Sequence, residues 1–198
     1  MVGTGRANER ERERIAALRS YEVLDTPPAP TFDDLVQLAS DICGVPIALV
    51  SLVDEDRQWF KAKVGLTVNE TKRNVAFCTY TIEQDDVFTV KDATHDPRFA
   101  LNPLVLSDPH IRFYAGAPLR TQNGYALGSL CVIDRVPREL TALQQNALVI
   151  LARQVTAQLE LHRAALELAR READISRQHD AIVSLQHQKD HLIAHVVH

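Results

Sequence analysis

Three cysteines, Cys43, Cys78 and Cys131, are the strongest nucleophiles in the chain. They are widely separated, odd in number and form no Cys-x-x-Cys pair, so their spacing predicts neither a zinc site nor a disulfide framework. Three reduced, mostly buried thiols are the expectation. Cys78 has Arg73 five residues upstream. A cation beside a thiol would make it reactive, and without one it is an inert buried residue or a pocket liner. Histidine is the second group: five of the eight, His179, His187, His191, His195 and His198, crowd the last 20 residues. One histidine is enough for an axial haem ligand, so His95 and His110 leave haem open, the ordinary alternative for each being a surface loop residue. Arg112, Lys61 and Lys63 are scattered cations able to meet a nucleotide phosphate. No group of residues has metal-ligand spacing.

The bulk properties narrow the classes. With 198 residues, 45% hydrophobic and 24% charged, the chain suits one globular domain plus appended helices. A net charge of -4 provides no basic field for a phosphate backbone, so no nucleic-acid partner is expected. No apolar run reaches the roughly 18–20 residues that span a bilayer, and the N-terminus lacks an apolar signal core. The expectation is a cytoplasmic protein without a membrane partner.

The elements that must position these side chains are readable from periodicity. Residues Met1 to Asn8 read as a disordered end, and Glu9 to Leu24 as a helix with i,i+3 charge pairs and a stripe of Ile15 and Leu18. Thr26-Pro27-Pro28-Ala29-Pro30 stops it. Thr31 caps the next helix, in which Phe32, Leu35, Leu38, Ala39 and Ile42 share a face, and Gly44 ends it. Pro46 to Val53 is a buried strand, and Gln58 to Val64 its partner. Gly65 to Asn74 reads as loop, Val75 to Glu83 as a short helix, Val87 to Val90 as a strand, and residues 92 to 108 as loop. Ile111 to Leu119 and Ala126 to Ile133 are strands joined by a type I′ turn at Asn123-Gly124. The order predicts an α+β sandwich with an antiparallel sheet.

From Ala142 onward there is no Gly or Pro. Thr141 and Gln144 form a capping box, and 56 helical residues would extend roughly 84 Å. Leu148, Ala152, Val155, Leu159, His162, Leu166, Ala169 and Ala173 give one seam. Ile175, Gln178, Ile182, Leu185, Lys189, Leu192 and Val196 give a second, offset in phase. Such spacing predicts a coiled coil with a stutter, and a narrow seam predicts a parallel homodimer.

Several segments carry a family resemblance: Tyr21 to Pro28 (YEVLDTPP), Ile42-Cys43-Gly44, Ile47 to Phe60 (IALVSLVDEDRQWF), Phe77-Cys78, Asp96 to Phe99 (DPRF), Phe113 to Leu119 (FYAGAPL) and Leu127 to Asp134 (LGSLCVID). Together they resemble the GAF domains of bacterial sensor kinases and related signalling proteins. The resemblance implies a GAF-type antiparallel sheet flanked by helices, with residues 1–30 as an N-terminal tail and helix, 31–160 as the sensor domain and 161–198 as a signalling coiled-coil helix. It implies a ligand pocket walled by Leu49, Ser51, Phe77, Cys78, Thr81, Phe99, Phe113, Ala115 and Cys131, the alternative being that these side chains fill an ordinary core. It leaves the ligand and cofactor unknown. Phytochrome-type members carry a cysteine beside a histidine in the chromophore loop; Pro109-His110-Ile111 has none, so no bilin is expected.

Lys189 to His198 (KDHLIAHVVH) resembles the start of the dimerisation and phosphoacceptor helix of histidine kinases, with His198 as the phosphoacceptor. The implied role is the signal-input region of a two-component sensor histidine kinase, acting on a kinase core or response regulator, with no activity from these residues alone. Two other readings stand beside it: a cysteine-based redox sensor or methionine-sulfoxide-reductase-like enzyme, and a ligand-free dimerisation module.

Overall fold

In the computed structural model, the backbone is described for residues 3–196 and the side chains for residues 7–189 and 191. His198, the proposed phosphoacceptor, lies outside the described residues. Residues 1–160 and 161–198 form two compact units. The first unit is built on a six-stranded antiparallel sheet in the order β3-β2-β1-β6-β5-β4. Its strands are β1 Ile47–Val53, β2 Arg57–Val64, β3 Glu70–Lys72, β4 Phe88–Val90, β5 Phe113–Arg120 and β6 Ala126–Asp134. Helices α1 Gly3–Ser20 and α2 Pro30–Cys43 precede the sheet. A 3-10 turn over Arg73–Val75, then α3 Cys78–Thr81 and α4 Pro103–Leu106, interrupt it. The helix α5, Ala142–Val196, follows it.

Local chemistry sets most boundaries. α1 starts earlier than its charge run predicts and stops at Ser20, where Glu22 and Asp25 adopt positive φ. α2 begins at Pro30, with Ala29 as an N-cap that supplies no side-chain bond, so Thr31 lies inside the helix and is not its cap. A proline at the first helical position sacrifices only an N–H that has no intrahelical acceptor. Gly44 ends α2 in the left-handed conformation, as expected. Between β5 and β6, the Gly124 N–H meets the Thr121 carbonyl, and Gly124 rather than Asn123 takes the positive φ. That is a turn closed by a glycine bulge, not the type I′ turn that Asn-Gly predicts. The capping box forms: the Gln144 N–H donates to Thr141 Oγ1 at 3.2 Å, and the Thr141 N–H donates to Gln144 Oε1 at 3.0 Å. β3 is a strand the sequence reading missed. It has three residues and only one neighbour, so no alternating pattern reveals it.

Strand alternation splits the core across two faces of the sheet. Ala48, Val50 and Leu52 of β1 join Phe113, Ala115, Ala117 and Leu119 of β5 on the first face. Leu18, α2 and the α5 residues Leu148, Leu151, Ala152, Val155 and Leu159 cover it. Ile47, Leu49 and Val53 join Tyr114 and Cys131 on the second face, which is closed by Phe77, Cys78, Phe99 and Ile111 from the connecting segments.

The burial corrects the seam assignment on α5. Leu148, Ala152, Val155 and Leu159 are core residues of the first unit, so they are not free to form a dimer seam. The large apolar residues left exposed in that unit's part of the helix are Leu143 and Ile150. Among the described residues of the second unit they are Leu161, Leu168, Ile175, Ile182 and Leu185. In sequence, positions 143, 147, 150, 154, 157, 161, 164, 168, 171, 175, 178, 182 and 185 alternate spacings of four and three without interruption. The sequence spacing through Ile175 and Ile182 therefore runs back to Leu143 with no stutter. The phase shift read from sequence came from joining two different faces of one helix.

Candidate functional site

On the second face a cavity of about 170 Å³ lies between the sheet and its crossing segments. Its apolar wall is Leu49, Phe60, Leu66, Phe77, Leu104, Ile111 and Ile133. Its polar residues are Gln58, Thr67, Thr71, Cys78 and Tyr114, with Asp108 and Glu70, whose carboxylate pairs with Arg57 at 2.6 Å, also in the lining. No lysine or arginine lines it. Larger concavities exist on the surface, but they are open clefts rimmed by charged residues such as Asp25, Lys61 and Lys63, or Arg10 and Glu11. A partly enclosed, mostly apolar space with a few polar groups suits a small-molecule site.

Tyr114 is the organising side chain. Its ring is completely buried and lies 5.2 Å from that of Phe77, which in turn stacks on Phe99 at 4.0 Å. Its hydroxyl pairs with Thr81 Oγ1 at 2.6 Å and donates to Cys78 Sγ at 3.4 Å, with Ser129 Oγ at 3.5 Å. Gly116 makes this position possible. A Cβ there would sit 2.3 Å from the Tyr114 hydroxyl and 2.8 Å from Thr81 Oγ1. A second polar chain runs from Ser51 Oγ to Gln58 Oε1 at 3.1 Å, and from Gln58 Nε2 to Thr71 Oγ1 at 2.7 Å. These bonds satisfy groups whose burial would otherwise be costly.

Cys78 and Cys131 lie together, Sγ to Sγ 3.9 Å, both fully enclosed. Hydrogen bonding from Cys131, supported by Ser129, Ser51 and Tyr114, holds the Cys78 thiol below the usual cysteine range despite burial. Its hydrogen bond to Cys78, together with burial, pushes Cys131 well above that range. Burial first, then the neighbouring Cys78, pushes the Tyr114 phenol up as well. Arg73, the cation that sequence placed near Cys78, is engaged elsewhere. It bonds the Asp54 carbonyl at 3.0 Å and pairs with Glu11 at 2.7 Å.

Of the nine pocket residues expected from sequence, Leu49, Phe77 and Cys78 line the cavity. Ser51, Thr81, Phe99 and Cys131 are buried beside it and hold its lining in place through the contacts above. Phe113 and Ala115 are corrections: both belong to the first face, in the core under α2 and α5. Their register was off by one, and in a strand one residue exchanges the faces. Tyr114 was the residue to choose. The signal was present as Tyr114-x-Gly116, a large ring followed on the same face by the one residue that leaves space for it. Gln58 on β2, Thr71 on the short edge strand β3, Leu104 on α4 and Ile111 in the segment before β5 were also missed, because no spacing pattern ties these separate elements together.

The nucleotide and haem candidates lie outside the cavity. Lys61 Nζ donates to Thr26 Oγ1 and the Pro27 carbonyl, Lys63 Nζ to the Thr67 and Val68 carbonyls, and Arg112 to the Val105 and Ile111 carbonyls. His95 is paired with Asp92 on the surface, and neither it nor His110 lines the cavity. Among the described residues no helix is long and apolar enough to cross a membrane.

Comparison with known proteins supplies a family profile described as the GAF domain, which matches residues 27–159. A cyclic di-GMP phosphodiesterase of Pseudomonas aeruginosa is 44% identical over 151 residues, spanning 73% of this chain but only 26% of that protein. The chain thus covers about a quarter of that relative's length. Among solved structures, the GAF domain of an Acinetobacter phosphoenolpyruvate-protein phosphotransferase superposes with a TM-score of 0.58 at 18% identity, covering 83% of this chain and 97% of that one. A domain assigned to a two-component sensor histidine kinase protein of Sinorhizobium meliloti 1021 gives 0.52 at 17% identity, covering 71% and 94%. At such identities the structural likeness establishes the fold.

Proposed function

This chain belongs to the GAF domain family, and from that premise we propose that it is the ligand-controlled input region of a signalling protein, dimeric through α5. The cavity carries this reading. An engineered space of roughly 150 Å³ lined by Leu, Ile and Phe holds a benzene molecule, so about 170 Å³ suits a ligand of about one ring. With no cation in the lining and with Asp108 and the Arg57-paired Glu70 among its residues, the ligand is uncharged or cationic. A cyclic nucleotide would bury a phosphate with no cationic partner in the lining, at a cost of several kcal/mol.

The sheet links this site to the exit helix. β1, β5 and β6 present one row of side chains to the cavity face and the alternate row to the α5 segment Leu148–Leu159. A ligand that favours one strand arrangement shifts the packing under α5 by as much as its affinities for the two arrangements differ. Support for a homodimer comes from the exposed row of Leu143, Ile150, Leu161, Leu168, Ile175 and Ile182, with Leu38 and Ile42 of α2 also exposed. The Gln144 side chain bonds the Ile42 carbonyl at 3.1 Å, which joins the α2 residues to the start of this row.

The output we propose is a histidine kinase core, on the resemblance of Lys189–His198 to a phosphoacceptor helix. A cyclic di-GMP enzyme is the second reading, favoured by the Pseudomonas relative. The complete gene product separates them. The first reading expects ATP labelling that His198→Gln removes; the second expects turnover of cyclic di-GMP without labelling.

Ligand class is tested by melting the protein with indole, phenol, benzamidine, cyclic AMP and cyclic GMP. At least one of the first three should raise Tm, since binding at 100 times Kd stabilises by about 2.7 kcal/mol. Leu104→Trp, which fills the cavity, should lose the shift. A Tm rise with either cyclic nucleotide, or no rise with any ring compound, would refute the ligand assignment.

A further inference from the structure

We propose that Cys78 and Cys131 form an oxidation site, in which hydrogen peroxide entering the cavity converts the two thiols to a disulfide. The inference is independent of which ligand the cavity otherwise takes. It rests on a convergence that sequence did not show: residues 53 positions apart, one on α3 and one on the central strand β6, with sulfurs 3.9 Å apart. A disulfide needs roughly 2.05 Å, so closure asks for a sulfur displacement of under 2 Å.

The geometry divides the roles. Cys78 lines the cavity and Cys131 lies behind it. Cys78 is therefore the sulfur that meets the peroxide, and Cys131 the one that resolves the product. The Cys78 thiolate attacks a peroxide oxygen, the O–O bond breaks, and the departing hydroxide takes up the proton that Cys78 lost, leaving a sulfenic acid and water. The Cys131 sulfur then attacks the Cys78 sulfur. The S–O bond breaks, and the hydroxyl leaves as water with the Cys131 proton. Two thiols lose two electrons, and one peroxide becomes two waters. The Tyr114 hydroxyl, itself held by Thr81 and Ser129, donates to Cys78 Sγ, and such a donor stabilises a charged sulfur. The depressed thiol pKa of Cys78 agrees with this order. Bulky disulfide reagents do not fit a space of about 170 Å³, which makes the site selective for small oxidants.

Closure would also act on the cavity. It draws Cys78 towards β6 and removes the thiol partner of the Tyr114 hydroxyl, altering a wall of the ligand space. Cys43 provides an internal control, because it is buried on the other face without a thiol neighbour.

The test uses the reduced protein treated with hydrogen peroxide, quenched, unfolded and titrated for thiols. The expected result is a fall from three free thiols to one. Proteolytic peptides should show Cys78 joined to Cys131, with two hydrogens lost, full reversal by dithiothreitol, and Cys43 still alkylatable. Cys131→Ser should instead accumulate a sulfenic acid on Cys78 that a dimedone probe captures. Three outcomes overturn the proposal: a sulfinic acid on Cys78 with no cross-link, a cross-link that involves Cys43, or thiols untouched at a peroxide concentration that oxidises the urea-unfolded chain.

Discussion

Leu159→Asp is expected to abolish the fold of the first unit. Leu159 is fully buried with Val155 and Ala152 in the core beneath α5, where it helps close the first face of the sheet. Truncating a buried leucine costs about 2–5 kcal/mol, and a carboxylate left in its place adds an unpaired buried charge. The sum, roughly 5 kcal/mol or more, is comparable with the whole stability of a domain. Circular dichroism should show no cooperative melting transition at 25 °C and above. A folded variant with an unchanged Tm would mean that this face of α5 is not packed on the sheet.

The same substitution on the other face should act very differently. Ile175→Asp with Ile182→Asp places charges in the exposed row, where Ile175 is 65% and Ile182 is 55% exposed. In the proposed dimer, four buried isoleucines are lost, each contributing about 2–3 kcal/mol. Association should weaken by far more than 100-fold, since 1.4 kcal/mol is a factor of ten. Sedimentation should therefore show a monomer whose first unit keeps its sheet. If the unmodified chain is already monomeric at high micromolar concentration, or if the doubly substituted chain stays dimeric, the row is not the dimer seam.

These two variants also show what the sequence could and could not express. Spacing alone revealed that α5 has apolar rows, but not that one row is consumed by its own domain. Leu148 and Leu159 look the same in sequence as Ile175 and Ile182, and only the sheet distinguishes them. The strands β1, β2, β5 and β6 were legible because they are long, rich in β-branched and apolar residues, and bounded by turns. β3 was not, being short and half exposed. For the site, Leu49, Phe77 and Cys78 were legible from motif and resemblance. Tyr114 was lost to a one-residue error of register that moved the assignment to Phe113 and Ala115. For Cys78 and Cys131, the resemblance put both in one pocket wall, but their direct contact was not legible from spacing. A contact between a four-residue helix and the middle of a sheet leaves no spacing signature.

The assignment of this cavity as the input site is tested most directly by locating a bound probe. Amide and methyl chemical shifts of the uniformly labelled protein should be followed during titration with indole. Perturbations should centre on Leu49, Leu104, Ile111 and Tyr114, which line the cavity, with the surface cleft around Lys61 and Lys63 unaffected. Perturbations confined to that cleft, or a saturating titration that leaves Leu104 and Tyr114 unmoved, would contradict the assignment.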